Sequence, residues 1–202
     1  LTYKIAYLLQ QGMKPWSIMA LTFTNKAARE MKERIGKLVG NDLAQHLYMG
    51  TFHSIFSRIL GAEAEHIGFN SNFTIYDETD SRSLCKNIVK TLGLDDKIYK
   101  PAEVHNRISM AKNKLILPAQ YAENTNIMVR DRQSNMDRMS AIYSMYVDNC
   151  RKSNAMDFDD LLVYTFRLFH DNPEVRDKYR ERYRFVLVDE YQDTNYVQQQ
   201  IV

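Results

Sequence analysis

Apolar residues form short continuous runs near the two ends of the chain and fall into helical spacing between them. Leu1, Ile5, Leu8 and Leu9 share one helical face, and Gly12 and Pro15 break that helix. Residues 18–24 then read as a buried strand, with Asn25 placed to cap a helix over 26–39. The design repeats, with a strand over 47–51 and a helix from about 53 to 66. This alternation predicts a parallel sheet. After a short extended piece at 73–76, periodicity from 77 to 154 is helical, with helices over 80–92, 101–114, 118–124 and 132–152. That stretch reads as a helical insertion. Helices over 158–169 and 173–183 lead to Phe185-Val186-Leu187-Val188, which reads as a buried strand returning the chain to the sheet. Leu1 has no capping residue before it, and the helix begun at Asn195 runs for only about two turns. The expectation is an excised piece of a longer protein.

Composition narrows the class. Hydrophobic residues make up 45% of the 202 positions, with only 7 Gly and 4 Pro, so a helix-rich globular chain is expected and a disordered tail is excluded. A net charge of +2 does not by itself mark a nucleic-acid binder, so any basic surface must come from clustering. Cys85 and Cys150 lack metal-site spacing and suggest neither zinc nor a disulfide framework, which points to the cytoplasm. No apolar run approaches the roughly 20 residues of a membrane span.

The candidate chemistry sits where strands end. Asp189 and Glu190 directly follow the last strand, and ligands of parallel α/β sheets bind beyond the carboxyl ends of the strands. One carboxylate is placed to hold a hydrated Mg²⁺ and the next to activate a water, the Walker B arrangement of a nucleoside triphosphatase. The competing reading is a strand followed by a helix capped by Asp193 or Thr194. At Phe23, Thr24 and Asn25 a strand end meets a helix N-terminus, which suits a phosphate, and Phe23 offers a face for a base; core packing and a simple cap compete. Thr51, Phe52 and His53 repeat that junction, with the same ordinary alternative. Asp157, Asp159 and Asp160 suit a helix N-terminus, although a two-metal nuclease uses similar residues. Arg107, Lys112 and Lys114 are candidates for phosphate contacts, or simply solvated basic residues.

Together these residues resemble the UvrD/PcrA/Rep group of superfamily 1 DNA helicases. Residues 20–31 look like its motif Ia, Gly50-Thr51-Phe52-His53-Ser54 like motif Ib, residues 156–161 like its acidic-aromatic signature, and residues 188–195 like motif II. The resemblance covers essentially the whole chain. It implies an α/β, RecA-like P-loop NTPase domain, incomplete here, in two segments at 1–72 and 156–202, with an inserted all-helical subdomain at 73–155. It further implies an ATP-dependent, 3′→5′ DNA helicase of repair or replication, with ATP and Mg²⁺ as cofactors. Its partners would be single-stranded DNA, single-strand/duplex junctions, and repair or replication proteins. By carry-over, Asp189 holds Mg²⁺, Glu190 handles the attacking water, and Gln192 links nucleotide state to neighbouring motifs. Phe23, Thr24, Asn25, Thr51, Phe52 and His53 line the single-strand track, with Lys112 as a further nucleic-acid contact. No G-x-x-x-x-G-K-S/T occurs in these residues, so the 202-residue chain alone is expected to be inactive. A non-catalytic DNA-binding or partner-docking module remains the alternative, followed by a metal-dependent nuclease built on Asp157, Asp159 and Asp189.

Overall fold

The chain opens with α1 (Thr2–Gln10), and Pro15 then starts a single 3₁₀ turn that delivers β1 (Ile18–Thr22). Next come α2 (Asn25–Val39), a short α3 (Asn41–Gln45) that periodicity does not predict, β2 (Tyr48–Thr51) and α4 (Phe52–Ala62). β3 (Thr74–Tyr76) leads into α5 (Glu78–Thr91), α6 (Pro101–Lys112), α7 (Pro118–Glu123), α8 (Thr125–Gln133) and α9 (Met139–Lys152). β4 (Ala155–Asp157), α10 (Phe158–Asp171), α11 (Pro173–Arg182), β5 (Phe185–Val188) and α12 (Tyr196–Ile201) complete the chain. This computed structural model describes residues 1–202.

β1 is buried along its whole length because it is the central strand of a three-stranded sheet ordered β2-β1-β5. Both neighbours are parallel to it, with Thr22 opposite Thr51 and Leu21 opposite Val188. Its side chains alternate between two cores. Met19 and Leu21 face the core shared with α4, α10 and α11, and Ile18 and Ala20 face the one under α1, α2 and α3. Each aliphatic side chain so withdrawn from water contributes about 1.5–3 kcal/mol. The α/β class expected of a RecA-like domain is therefore what the chain forms.

Helices α5 to α9 enclose a core of their own around Val104, Ile108, Tyr121, Ile142 and Tyr146. The chain enters and leaves this region through two short parallel strands, since β3 pairs with β4. β4 is too short for a period to reveal it, and Asn154, at φ 47°, makes the turn that frees it from α9. The single helix expected over 132–152 is two. Asn135 adopts φ 57°, and the Met136 N–H closes the end of α8 on the Asp131 carbonyl at 2.8 Å. β5 is another correction: it is an edge strand, and Val186 is 42% exposed instead of buried.

Candidate functional site

Three strand ends lie side by side at one edge of the main sheet. At the first, Thr22 donates its hydroxyl to the Thr24 carbonyl at 3.0 Å and shapes the turn out of β1. Thr24 caps α2, accepting from the Ala27 N–H at 3.0 Å, so the cap expected at Asn25 belongs to its neighbour and Asn25 is the first helical residue. At the second, Thr51 caps α4 through the Ser54 N–H at 3.2 Å. Gly50 lets this turn close tightly, because a Cβ there would stand 2.6 Å from Ser54 Oγ. Two helix N-termini, each with free N–H groups and a positive dipole end, thus share one edge.

The third strand end carries the acids. The Asp189 N–H donates to the Leu21 carbonyl at 2.9 Å, extending the β5–β1 ladder one residue past Val188. This bond fixes Asp189 beside the β1 turn. Glu190 then takes φ 48° and ψ 48°, a left-handed conformation that costs a non-glycine residue about 1–2 kcal/mol. Its carboxylate accepts a hydrogen bond from Gln192 Nε2. Asp189 is half-buried and Glu190 exposed, and neither forms an ion pair. The two carboxylates remain free to meet a cation or a water. The caps foreseen at Asp193 or Thr194 fall instead to Asn195, which accepts from the Gln198 N–H at 2.9 Å.

An aromatic wall flanks these ends. Phe23 lies just beyond β1, 39% exposed, with its ring 5.6 Å from that of Phe52. Phe52, expected on the single-strand track, is 1% exposed and packs into the α4 and α10 core, so it supports Phe23 and cannot itself meet a base. His53 lies 5.3 Å from the ring of Phe158. Burial holds its imidazole below the usual range, against the opposing pull of Asp159 and of a hydrogen bond to the Phe158 backbone. Phe158 itself is 54% exposed at the first position of α10. Phe158 is the aromatic of the acidic-aromatic stretch at 156–161, a pattern that carries no role for the ring itself; its signal is an aromatic residue standing among three acids.

Lys112 is the principal correction. Expected at a nucleic-acid surface, it is 1% exposed, with Nζ 2.7 Å from both Asp157 Oδ2 and Asp160 Oδ1. Tyr146 donates to the same Asp157 oxygen at 2.8 Å. Asp157 also caps α10 in a reciprocal box with Asp160. Lys112 and these hydrogen bonds hold the Asp157 carboxyl below its usual range against burial, whereas burial and the Asp157 charge push Asp160 up to about 7. Arg107 is buried likewise, paired with Asp131 and Glu103, leaving Lys114 as the exposed member of the expected basic trio. A nuclease built on Asp157, Asp159 and Asp189 is thereby disfavoured. Asp157 is consumed by its lysine, and no group of three or more His, Cys, Asp or Glu side chains is placed to hold a metal. A single free carboxylate such as Asp189 still suits Mg²⁺, which typically takes one or two carboxylates and completes its shell with water and substrate phosphates.

Residues 1–202 match the UvrD/REP helicase N-terminal domain family. Among curated relatives, the chain is 43% identical to a protein of Staphylococcus aureus described as ATP-dependent DNA helicase PcrA, over the whole chain and 27% of that protein. Proteins of the same description from Staphylococcus epidermidis and Leuconostoc citreum are 41% and 40% identical, again over the whole chain and 27% and 26% of their lengths. The chain therefore spans about a quarter of the relatives it matches.

Proposed function

Because the chain belongs to the UvrD/REP helicase N-terminal domain family, we propose that it forms part of the first motor domain of an ATP-dependent DNA helicase moving 3′→5′ along single-stranded DNA. Residues 1–72 and 156–202 supply the motor, and residues 73–155 form an inserted subdomain facing duplex at a single-strand/duplex junction. The work is repair or replication, in the cytoplasm; no helix is long and apolar enough to cross a membrane.

The observation that supports this function is the placement of Asp189 and Glu190 at the same sheet edge as the Thr24 and Thr51 helix caps. Phosphoryl transfer needs positioning and charge stabilisation more than covalent chemistry. Asp189, held by its backbone bond to β1, would hold Mg²⁺, which supplies charge neutralisation at the phosphates when bound. Glu190 projects from a fixed left-handed turn and accepts the proton of the attacking water. Gln192, bonded to Glu190, orients that carboxylate. Phe23 offers a sequence-tolerant stacking surface, backed by Phe52, and Phe158 with His53 offers a second. Thr24, Asn25 and Thr51 present hydroxyl, amide and backbone groups to the DNA backbone between them.

The 202 residues contain no P-loop signature, so this polypeptide alone does not turn over ATP. The test uses the full-length protein that carries it. Glu190→Gln there lowers DNA-stimulated ATP turnover at least about 100-fold, on the scale of losing a general base, and leaves nucleotide binding intact. Turnover unchanged by Glu190→Gln would remove the catalytic role and favour a DNA-binding or partner-docking module.

A further inference from the structure

Asn113 ends α6 at a place where three parts of the molecule meet. Its Oδ1 accepts from Asn195 Nδ2 at 2.6 Å. Its Nδ2 donates to Asp159 Oδ1 and to the Ser109 carbonyl, both at 2.9 Å. Asn195 is the N-cap of α12, five residues past Glu190, and the intervening turn is tied by the Thr194 hydroxyl to the Tyr191 carbonyl at 2.6 Å. Asp159 follows Phe158 in the first turn of α10, and its charge acts on His53. Asn113 therefore hydrogen-bonds the segment after the acid pair, the last turn of α6 and, through Asp159, the first turn of α10 beside Phe158.

The polarity of the chain is fixed. Flipping the Asn113 amide would set its NH₂ against that of Asn195 and its oxygen against the Asp159 carboxylate, two repulsive contacts in place of two bonds. Only a group carrying one acceptor and one donor at this spacing satisfies both neighbours. Lys112, one residue earlier, is locked to Asp157 and Asp160, so the α6 end cannot drift relative to α10. Asn195, the N-cap of α12, is joined to α6 by this bond alone among side-chain hydrogen bonds.

Resting on the helicase reading above, we propose that Asn113 is a positioning residue that couples the acid-bearing turn to the helical subdomain and the Phe158–His53 wall, so that work at the nucleotide site reaches the DNA. It touches neither the acids nor the bases. Rearrangement of residues 189–195 makes or breaks the Asn195 bond, and so attaches the acid-bearing turn to, or releases it from, the corner that Lys112 fixes between α6 and α10. Hydrogen-bonded networks of this kind carry coupling between sites only when their members act together, which a double-mutant cycle measures.

The experiment uses the full-length protein. DNA-stimulated ATP turnover and base pairs opened per ATP are measured for wild type, Asn113→Ala, Asn195→Ala, the double variant, and Asn113→Asp, which keeps the acceptor and loses the donor. Expected are single-variant ATP turnover within about twofold of wild type, with at least fivefold fewer base pairs opened per ATP, and a double variant no worse than the poorer single. Asn113→Asp, placing a carboxylate against Asp159, is expected to be as uncoupled as the alanine variant. Opening per ATP unchanged in Asn113→Ala overturns the proposal. So do losses in the double variant that multiply, or ATP turnover and opening that fall in parallel, as a merely structural role would give. A wild-type protein with no ATP-driven opening would defeat the helicase reading itself, and that result is visible before any variant is made.

Discussion

Two acidic clusters lie on this chain, and the structure gives them opposite fates. Asp157 and Asp160 are buried at the start of α10, neutralised by Lys112 and tied into a reciprocal cap. Asp189 and Glu190 stand at the end of β5 with no cation near them, on a backbone that turns through a left-handed residue. Both clusters follow a strand and precede a helix, so local sequence does not separate them. What separates them is a lysine 45 residues before Asp157, delivered by the fold. An acid is available for chemistry when the structure leaves its charge unpaired and over-determines its backbone.

The comparison breaks most sharply at Lys112. Removing one partner of a buried ion pair leaves an uncompensated charge and costs about 3–5 kcal/mol. Lys112→Ala is therefore expected to lower the urea midpoint of the chain severely, while Glu190→Gln, at an exposed acid with no cation, leaves it nearly unchanged. Equal, small losses in both variants would erase the distinction between the clusters.

The aromatic pair gives a second contrast of the same kind. Phe52→Ala empties a packed site and is expected to cost about 3–5 kcal/mol of stability. Phe23→Ala, next to it in the fold but partly exposed, should cost far less stability and instead weaken single-stranded DNA binding by about 1–3 kcal/mol, read from titrations at fixed salt. Unchanged DNA affinity in folded Phe23→Ala would return that ring to packing alone.

What could be read from the sequence follows from range. Strands β1 and β2, the acids at the end of β5 and most helices are written in local periodicity, and so were the junctions at Thr24 and Thr51. The fates of Lys112, Arg107 and Phe52 were not, because each is decided by partners far along the chain: Asp157 and Asp160, Asp131, and the α10 core. A basic residue on a helix looks solvated until the opposing carboxylates are known. The edge position of β5 was likewise hidden, since Phe185-Val186-Leu187-Val188 has the composition of an interior strand and only strand order reveals its free side. Asn113 carries no signal of its own and Phe158 only that of an aromatic among acids; their places depend on how α4, α6, α10 and α12 converge.

The buried cluster also predicts a pH signature. Asp160 is pushed up to about 7 in the folded chain by burial and the Asp157 charge, whereas an unfolded aspartate titrates near 4. Between those values the folded state holds a proton that the unfolded state has released, so stability falls as pH rises from about 4 to about 7 and then levels. Asp157, held below its usual range, acts in the opposite sense: its contribution is present above about 4 and is lost as pH drops through its folded value. Asp160→Asn should abolish the decline between pH 4 and 7 and keep the acid limb. A variant whose urea midpoints track wild type across that range would mean that Asp160 is not the group titrating.

The smallest effect expected is at Glu190, where chemistry and backbone conformation pull apart. Its φ of 48° is costly for any residue with a Cβ and free for glycine. Glu190→Gly should therefore raise the stability of the 202-residue chain by about 0.5–1 kcal/mol, the relief of the left-handed strain less the greater entropy of an unfolded glycine. The hydrogen bond from Gln192 is lost as well, but it lies in solvent and subtracts little. Glu190→Gln keeps the Cβ and should show no such gain, so the difference between the two variants in thermal unfolding isolates the backbone contribution from the charge. A glycine variant no more stable than the glutamine one would mean that Glu190 sits in this turn without strain, and its left-handed backbone would no longer distinguish the available acids from the buried pair.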